Sequence, residues 1–190
     1  MLNIVLFGPP GSGKGTQACK IIEKYNLVHI STGDLLRQEV QDLTELGRRA
    51  KEIMDRGELV SDEIVIGMIR NKLGENQDGP GFIFDGFPRT VEQARELRKA
   101  LTEYDERVTV MISLTVPREE LVKRLVKRGK ETGRSDDTPE TINNRIDVYN
   151  HQTLPVAYYY EKMHKHRPID GVGSVDEIFK RISKVLEEVK

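Results

Sequence analysis

The sequence predicts an α/β fold, a parallel sheet with helices on both faces. Three observations predict it. Short runs that are apolar throughout alternate with longer helical patterns, as strands buried on both sides do. The first run stops at a glycine-rich loop that opens directly into a helical pattern. No segment repeats and no low-complexity linker divides the chain, so one domain with insertions accounts for its 190 residues.

In order, LNIVLF (2–7) reads as a buried strand and Lys14–Tyr25 as a helix. LVHIS (27–31) and GFIFD (81–85) are short strands, and VTVMISLTV (108–116) is a longer one ending before Pro117. PIDG (168–171) is read as the last strand. Helical patterns cover Val91–Thr102, Arg118–Arg128, Thr141–Lys165 and Val175–Val189, with Pro155 expected to kink or split the third. Residues 32–74 break the alternation as consecutive helices with no strand. The expected organisation is a core (1–30, 61–126 and 138–190), a helical insertion (31–60) and a short lid loop (127–137).

The formal net charge is −1, with 32% charged residues, a balance that argues against a nucleic-acid partner. The single cysteine, Cys19, excludes a disulfide or a cysteine zinc site within the chain and suits a reducing cytoplasm. No apolar stretch reaches membrane-spanning length, and no basic leader precedes the first apolar run, so neither a membrane anchor nor a signal peptide is expected.

Gly8-Pro9-Pro10-Gly11-Ser12-Gly13-Lys14 has the form of a phosphate-binding loop: glycine, four residues, glycine, lysine. After a strand, such a loop turns successive N–H groups into one concavity, and the next helix adds its positive dipole end. Lys14 supplies a charge for β- and γ-phosphates. Gly15 stands where Ser or Thr usually follows the lysine, which leaves Thr16 a doubtful Mg²⁺ ligand. The bland alternative is an ordinary strand–turn–helix link. The apolar run ending in Asp85 matches the aspartate partner of such a loop, placed to hold Mg²⁺ through water; alone it would equally be a strand-capping aspartate.

Arg37, Arg89, Arg124, Arg128, Arg134 and Arg145 stand beside these motifs or on the helices that follow them. Singly each would be a solvated surface residue. As a group they suit two phosphate chains held at once, because the planar guanidinium fork matches phosphate oxygens.

GPPGSGKGT (8–16), STGDLLR (31–37), DGFPRTVEQA (85–94), KRLVKRG (123–129), GRSDD (133–137) and Arg145 resemble the adenylate kinase group of the nucleoside monophosphate kinases, in family order across most of the chain. The resemblance implies a P-loop nucleoside triphosphate hydrolase-like fold with an AMP-binding helical insertion and a short lid without zinc. It implies MgATP and AMP giving two ADP. By resemblance, Gly11, Ser12, Gly13, Lys14, Gly15 and Thr16 cradle the ATP phosphates. Arg128 and Arg124 serve ATP, and Gly173 offers backbone to its adenine. Thr32, Arg37, Glu58, Leu59, Val60, Gly86, Phe87, Pro88, Arg89 and Gln93 form the AMP site. Arg134 and Arg145 bridge the two phosphate chains.

The resemblance further implies a monomer. It implies catalysis by positioning and charge, through Lys14, Mg²⁺ and Arg89, Arg124, Arg134 and Arg145. No general base is needed, so His29, His151, His164 and His166 are expected to be structural or surface residues. Insertion and lid are expected to close against water. The nearest alternative is a UMP/CMP kinase, which tends to carry alanine at the place of Thr32 and asparagine-rich sequence after DGFPR. A P-loop GTPase would also be expected to show an Asn-Lys-x-Asp segment, which the chain lacks.

Overall fold

A computed structural model describes residues 1–77 and 79–189. Among them, β1 (Ile4–Phe7), β2 (Val28–Ser31), β3 (Phe82–Asp85), β4 (Val110–Thr115) and β5 (His166–Asp170) form one all-parallel sheet, in the order β2-β3-β1-β4-β5. The helices are α1 (Lys14–Tyr25), α2 (Thr32–Gln41), α3 (Glu45–Asp55), α4 (Asp62–Glu75), α5 (Val91–Thr102), α6 (Arg118–Thr132), α7 (Pro139–Val148), α8 (Pro155–Glu161) and α9 (Val175–Val189).

Side-chain alternation between two covered faces explains why the central strands β1, β3 and β4 are largely apolar. Ile4 and Leu6 of β1 join one core with Ile21 of α1 and Ile182 and Leu186 of α9. Val5 and Phe7 join the other, with Ile69 and Leu73 of α4, Leu97 of α5 and Tyr160 of α8. Phe84 in β3 is fully buried in this second core, where truncation to alanine costs about 3–5 kcal/mol. A smaller cluster joins α6 to α7 through Leu121, Leu125, Ile142 and Ile146.

The expected elements are present, with four shifts that have physical causes. β1 begins at Ile4, since Asn3 N donates to the Thr109 side-chain Oγ1 at 3.1 Å rather than to a strand carbonyl; the Asn3 side chain meets Phe82 N at 3.1 Å and Glu106 and Arg107 O at 3.0 Å. β5 starts at His166, earlier than PIDG suggested, and contains Pro168; it is an edge strand, where a missing N–H is tolerated. α6 runs to Thr132, so 127–132 is helix rather than loop, and it ends at Gly133 in the left-handed region. The helix expected over 141–165 divides into α7, a π-helical turn (Tyr149–Thr153) and α8, with Pro155 as the first residue of α8. Leu154 N donates to Tyr149 O at 2.8 Å, the wider spacing of that turn.

Residues 32–74 are helical as expected, in α2, α3 and α4. Gly47 lets α3 press on α2: a Cβ there would lie 2.0 Å from Glu39 O. Ser31, Thr44, Thr90 and Thr138 cap α2, α3, α5 and α7 by accepting from backbone N–H groups. The registers Leu6↔Asp85 and Ser31↔Asp85 bring the carboxyl ends of β1, β2 and β3 level. The loops leaving them meet where the chain changes sides of β1, the place where open α/β sheets bind ligands.

Candidate active site

Residues 8–13 connect β1 to α1 through Gly8, Gly11 and Gly13 at φ of 145°, 81° and 94°, values that glycine adopts without strain. A Cβ on Gly8 would lie 2.8 Å from Ser12 Oγ and 2.9 Å from Leu114 O. α1 starts without a side-chain cap and without an acid in its first turn. Its first N–H groups therefore lack a cap from the helix's own side chains, as at anion sites. Ser12 is buried, and its Oγ has no hydrogen-bond partner among the described residues.

Lys14 turns back over the loop, and its Nζ donates to Gly8 O at 2.8 Å and Pro9 O at 3.0 Å. Burial pushes its ammonium down to about 8; Asp85 pulls it up, while Arg89, Arg145 and Arg128 push it further down. Asp85 is buried, with His29 Nε2 3.8 Å from its carboxylate, a neighbour that local sequence did not indicate. Gly15 leaves the space between α1 and Asp85 open: a Cβ there would lie 3.7 Å from Asp85 Oδ2. The hydroxyl usual at that position is missing, and Thr16 is exposed one residue on. One carboxylate facing a phosphate loop fits Mg²⁺, which takes its other ligands from phosphate and water. Among the described residues, no three His, Cys, Asp or Glu side chains group as a metal cage.

A cleft with about 870 Å³ of empty space, partly open to solvent, adjoins the loop. Lys14, Arg37, Glu58, Leu59, Val60, Gly86, Phe87, Pro88, Arg89 and Arg145 line it. Arg89 Nε donates to Gly86 O at 2.7 Å, and its guanidinium has no carboxylate partner among the described residues. Burial, then the charge of Arg145, pushes it down to about 10. Arg37 pairs with Asp34.

Arg124 and Arg128, expected on the ATP side, and Arg145, expected between the phosphate chains, are held by acids or carbonyls. Arg128 grips Asp137 in a fork, Nε to Oδ2 at 2.6 Å and Nη2 to Oδ1 at 2.8 Å. Arg145 Nη1 lies 2.8 Å from both Asp136 Oδ2 and Asp137 Oδ1. Arg124 pairs with Glu120 at 2.8 Å and donates to Gly171 O, which ties α6 to the 171–174 loop that contains Gly173. Arg134 O accepts from Asp137 N at 3.3 Å, while its guanidinium has no hydrogen-bond or ion-pair partner among the described residues. Burial lowers it from its ordinary value, and Arg37 and Arg128 lower it further.

Thr32 and Gln93 are buried, each hydrogen-bonded to a residue that lines the cleft. Thr32 Oγ1 donates to Gly86 O at 2.8 Å. Gln93 Oε1 accepts from Arg89 N at 2.7 Å, and Nε2 donates to Asp62 at 2.7 Å.

Asp62, Asp136 and Asp137 went unassigned as site residues in the sequence, although GRSDD places two acids beside Arg134. Asp55 and Ser135 also went unassigned. Ser135 Oγ donates to Asp55 Oδ1 at 2.6 Å, Thr141 Oγ1 donates to Asp55 O at 2.9 Å, and Asn144 donates to Arg56 O.

A glycine loop with an uncapped helix, a facing aspartate and converging arginines defines a phosphate-loop nucleotide-binding protein of the phosphoryl-transfer class. A family model described as adenylate kinase matches residues 6–165. The chain is 53% identical over 190 residues to a protein of Parabacteroides distasonis named adenylate kinase, covering all of both chains. Its identity to the adenylate kinase of Bacteroides fragilis is 50% over 187 residues, 98% of this chain and 99% of that one. With that of Flavobacterium psychrophilum it is 48% over 190 residues, covering all of both chains. The chain belongs to the adenylate kinase family. Among the described residues, no helix is long and apolar enough to cross a membrane.

Proposed function

We propose that this protein transfers the γ-phosphoryl group of MgATP reversibly to AMP, giving two ADP, as a cytoplasmic monomer. The carrying observation is the pair Lys14 and Arg89. Both are largely desolvated, both are pushed down from their ordinary values, and neither has a carboxylate hydrogen-bond partner among the described residues. Two such cations beside one cleft are matched by phosphates on either side of a transfer point.

In this reading residues 11–16, Arg124, Arg128 and the backbone at Gly173 serve ATP. Arg37 and Arg89 hold the AMP phosphate, Glu58–Val60 and Gly86–Pro88 flank the nucleotide, and Thr32 and Gln93 face the base. Arg134 and Arg145 stand between the two phosphate chains, with the 31–60 insertion and the 127–137 segment as the closing parts. An AMP phosphate oxygen, already ionised at neutral pH, attacks the γ-phosphorus. The bond to the β–γ bridging oxygen breaks, ADP leaves with that electron pair, and no protein base takes a proton. Lys14 and the arginines balance charge on the transferring group and orient both ends in line. Mg²⁺ held at Asp85 through water would supply further charge neutralisation on the phosphates.

The test is stoichiometry by phosphorus NMR. With Mg²⁺, each ATP and AMP consumed should yield two ADP, and the reverse reaction should run from ADP alone. Release of inorganic phosphate without AMP consumption would contradict it.

A further inference from the structure

Gln93 is held from two sides. The backbone N–H of Arg89 donates to Oε1, and Nε2 donates to Asp62 Oδ1, both at 2.7 Å. A backbone N–H can meet only an amide's oxygen, and an ionised carboxylate only its NH₂. A flipped amide would set N–H against N–H at Arg89 and oxygen against carboxylate at Asp62. Asp62 is fixed in turn: Oδ2 accepts from Thr90 Oγ1 at 2.9 Å, and the residue opens α4, where the helix dipole favours an acid. Thr90 Oγ1 accepts from Gln93 N at 3.1 Å, which closes the network around the side chain.

The geometry points to Asp62 as the positioning residue that sets which purine edge Gln93 reads, an inference that rests on the AMP reading above. Arg89 N and Asp62 each use one of the amide's two hydrogen-bonding valences at oxygen and nitrogen. One lone pair and one N–H remain for a base. Adenine offers an amine donor beside a ring-nitrogen acceptor, which this orientation matches. Hypoxanthine offers a carbonyl acceptor beside an N–H donor, which only the flipped amide matches. Glutamine alone could serve either edge. Selection therefore resides in Asp62 and the Arg89 N–H.

The experiment measures kcat/KM for AMP and for inosine monophosphate at saturating MgATP. It compares the wild type with Asp62→Ala, Asp62→Ser and Asp62→Asn. Alanine and serine remove the carboxylate contact, so the AMP-to-inosine-monophosphate ratio should fall about tenfold, with the KM for ATP unchanged. Serine gives a second route should alanine at the start of α4 fail to fold. Asparagine keeps an oxygen for Nε2 and should hold the ratio within about threefold of wild type. A folded Asp62→Ala or Asp62→Ser enzyme in which both substrates decline together, with the ratio intact, would assign Asp62 a purely structural role and overturn the inference. A wild type that does not prefer AMP overturns the AMP reading itself, whatever the variants do.

Discussion

Ser135 Oγ donates a 2.6 Å hydrogen bond to Asp55 Oδ1, joining the segment after α6 to the end of α3. Asp55 O and Arg56 O accept from Thr141 and Asn144 of α7 beside it. This rim runs past a cleft lined by Lys14, Arg89 and Arg145.

Ser135→Ala should weaken closure without unfolding the protein, because the contact lies at the exposed rim. One hydrogen bond of this kind contributes about 1 kcal/mol, or about fivefold in binding. KM for both nucleotides should rise severalfold while Tm stays unchanged. Unchanged KM values would separate the rim contact from nucleotide binding.

Lys14→Ala should lower kcat about 100-fold or more, the scale of losing one preorganised electrostatic donor. The fold should persist, since Lys14 packs over loop carbonyls rather than in the apolar core. Near-normal turnover in the folded variant would remove Lys14 from the mechanism.

The pH dependence follows from the same lysine. Its folded value, about 8, lies below the ordinary 10.5. Between these values the unfolded chain binds more protons at this position, so its contribution makes stability rise with pH across the window. Below pH 8 the full cost of burying the ammonium is present. Activity moves the other way: kcat/KM should fall above about pH 8 as the free enzyme loses the charge. Bound phosphates favour the ammonium, so the limb should move upward in kcat. A kcat/KM profile level to pH 10 would contradict the loss of the Lys14 charge near pH 8 in the free enzyme.

Asp137 serves two arginines, Arg128 and Arg145, with a side chain wholly shielded from solvent. Asp137→Ala strands the Arg128 guanidinium and leaves Arg145 with Asp136 alone, and should destabilise the protein by about 2 kcal/mol, allowing for solvent around Arg128. A denaturant midpoint equal to wild type would show that the fork carries no net stability.

The phosphate loop and Asp85 were legible because their signal is local: glycines, a lysine and the ends of two apolar runs. The arginines were legible as a group, but the acids that hold them were not. Asp62 meets Gln93 across 31 residues and Asp55 meets Ser135 across 80, and no periodicity links such positions. The extension of α6 was hidden because Lys127–Thr132 carries no apolar stripe. The start of β5 was hidden because His166 and Arg167 open a partly exposed edge strand, where polar residues are tolerated. Gln93 was expected to face the base through the family resemblance alone, and the carboxylate that meets its Nε2 lies in another helix, α4.

The most direct test of the account is kcat/KM for AMP, CMP, UMP and GMP with MgATP as donor, by coupled detection of diphosphate. In the proposed AMP site a pyrimidine would not reach Gln93, and guanine would set acceptor against acceptor. Each unpaired buried group costs about 1–3 kcal/mol. AMP should lead every other monophosphate by at least about tenfold, and Gln93→Ala should narrow the gap chiefly by weakening AMP. Equal or better kcat/KM for CMP or UMP in the wild-type enzyme would contradict the account and move the protein to the pyrimidine-specific kinases.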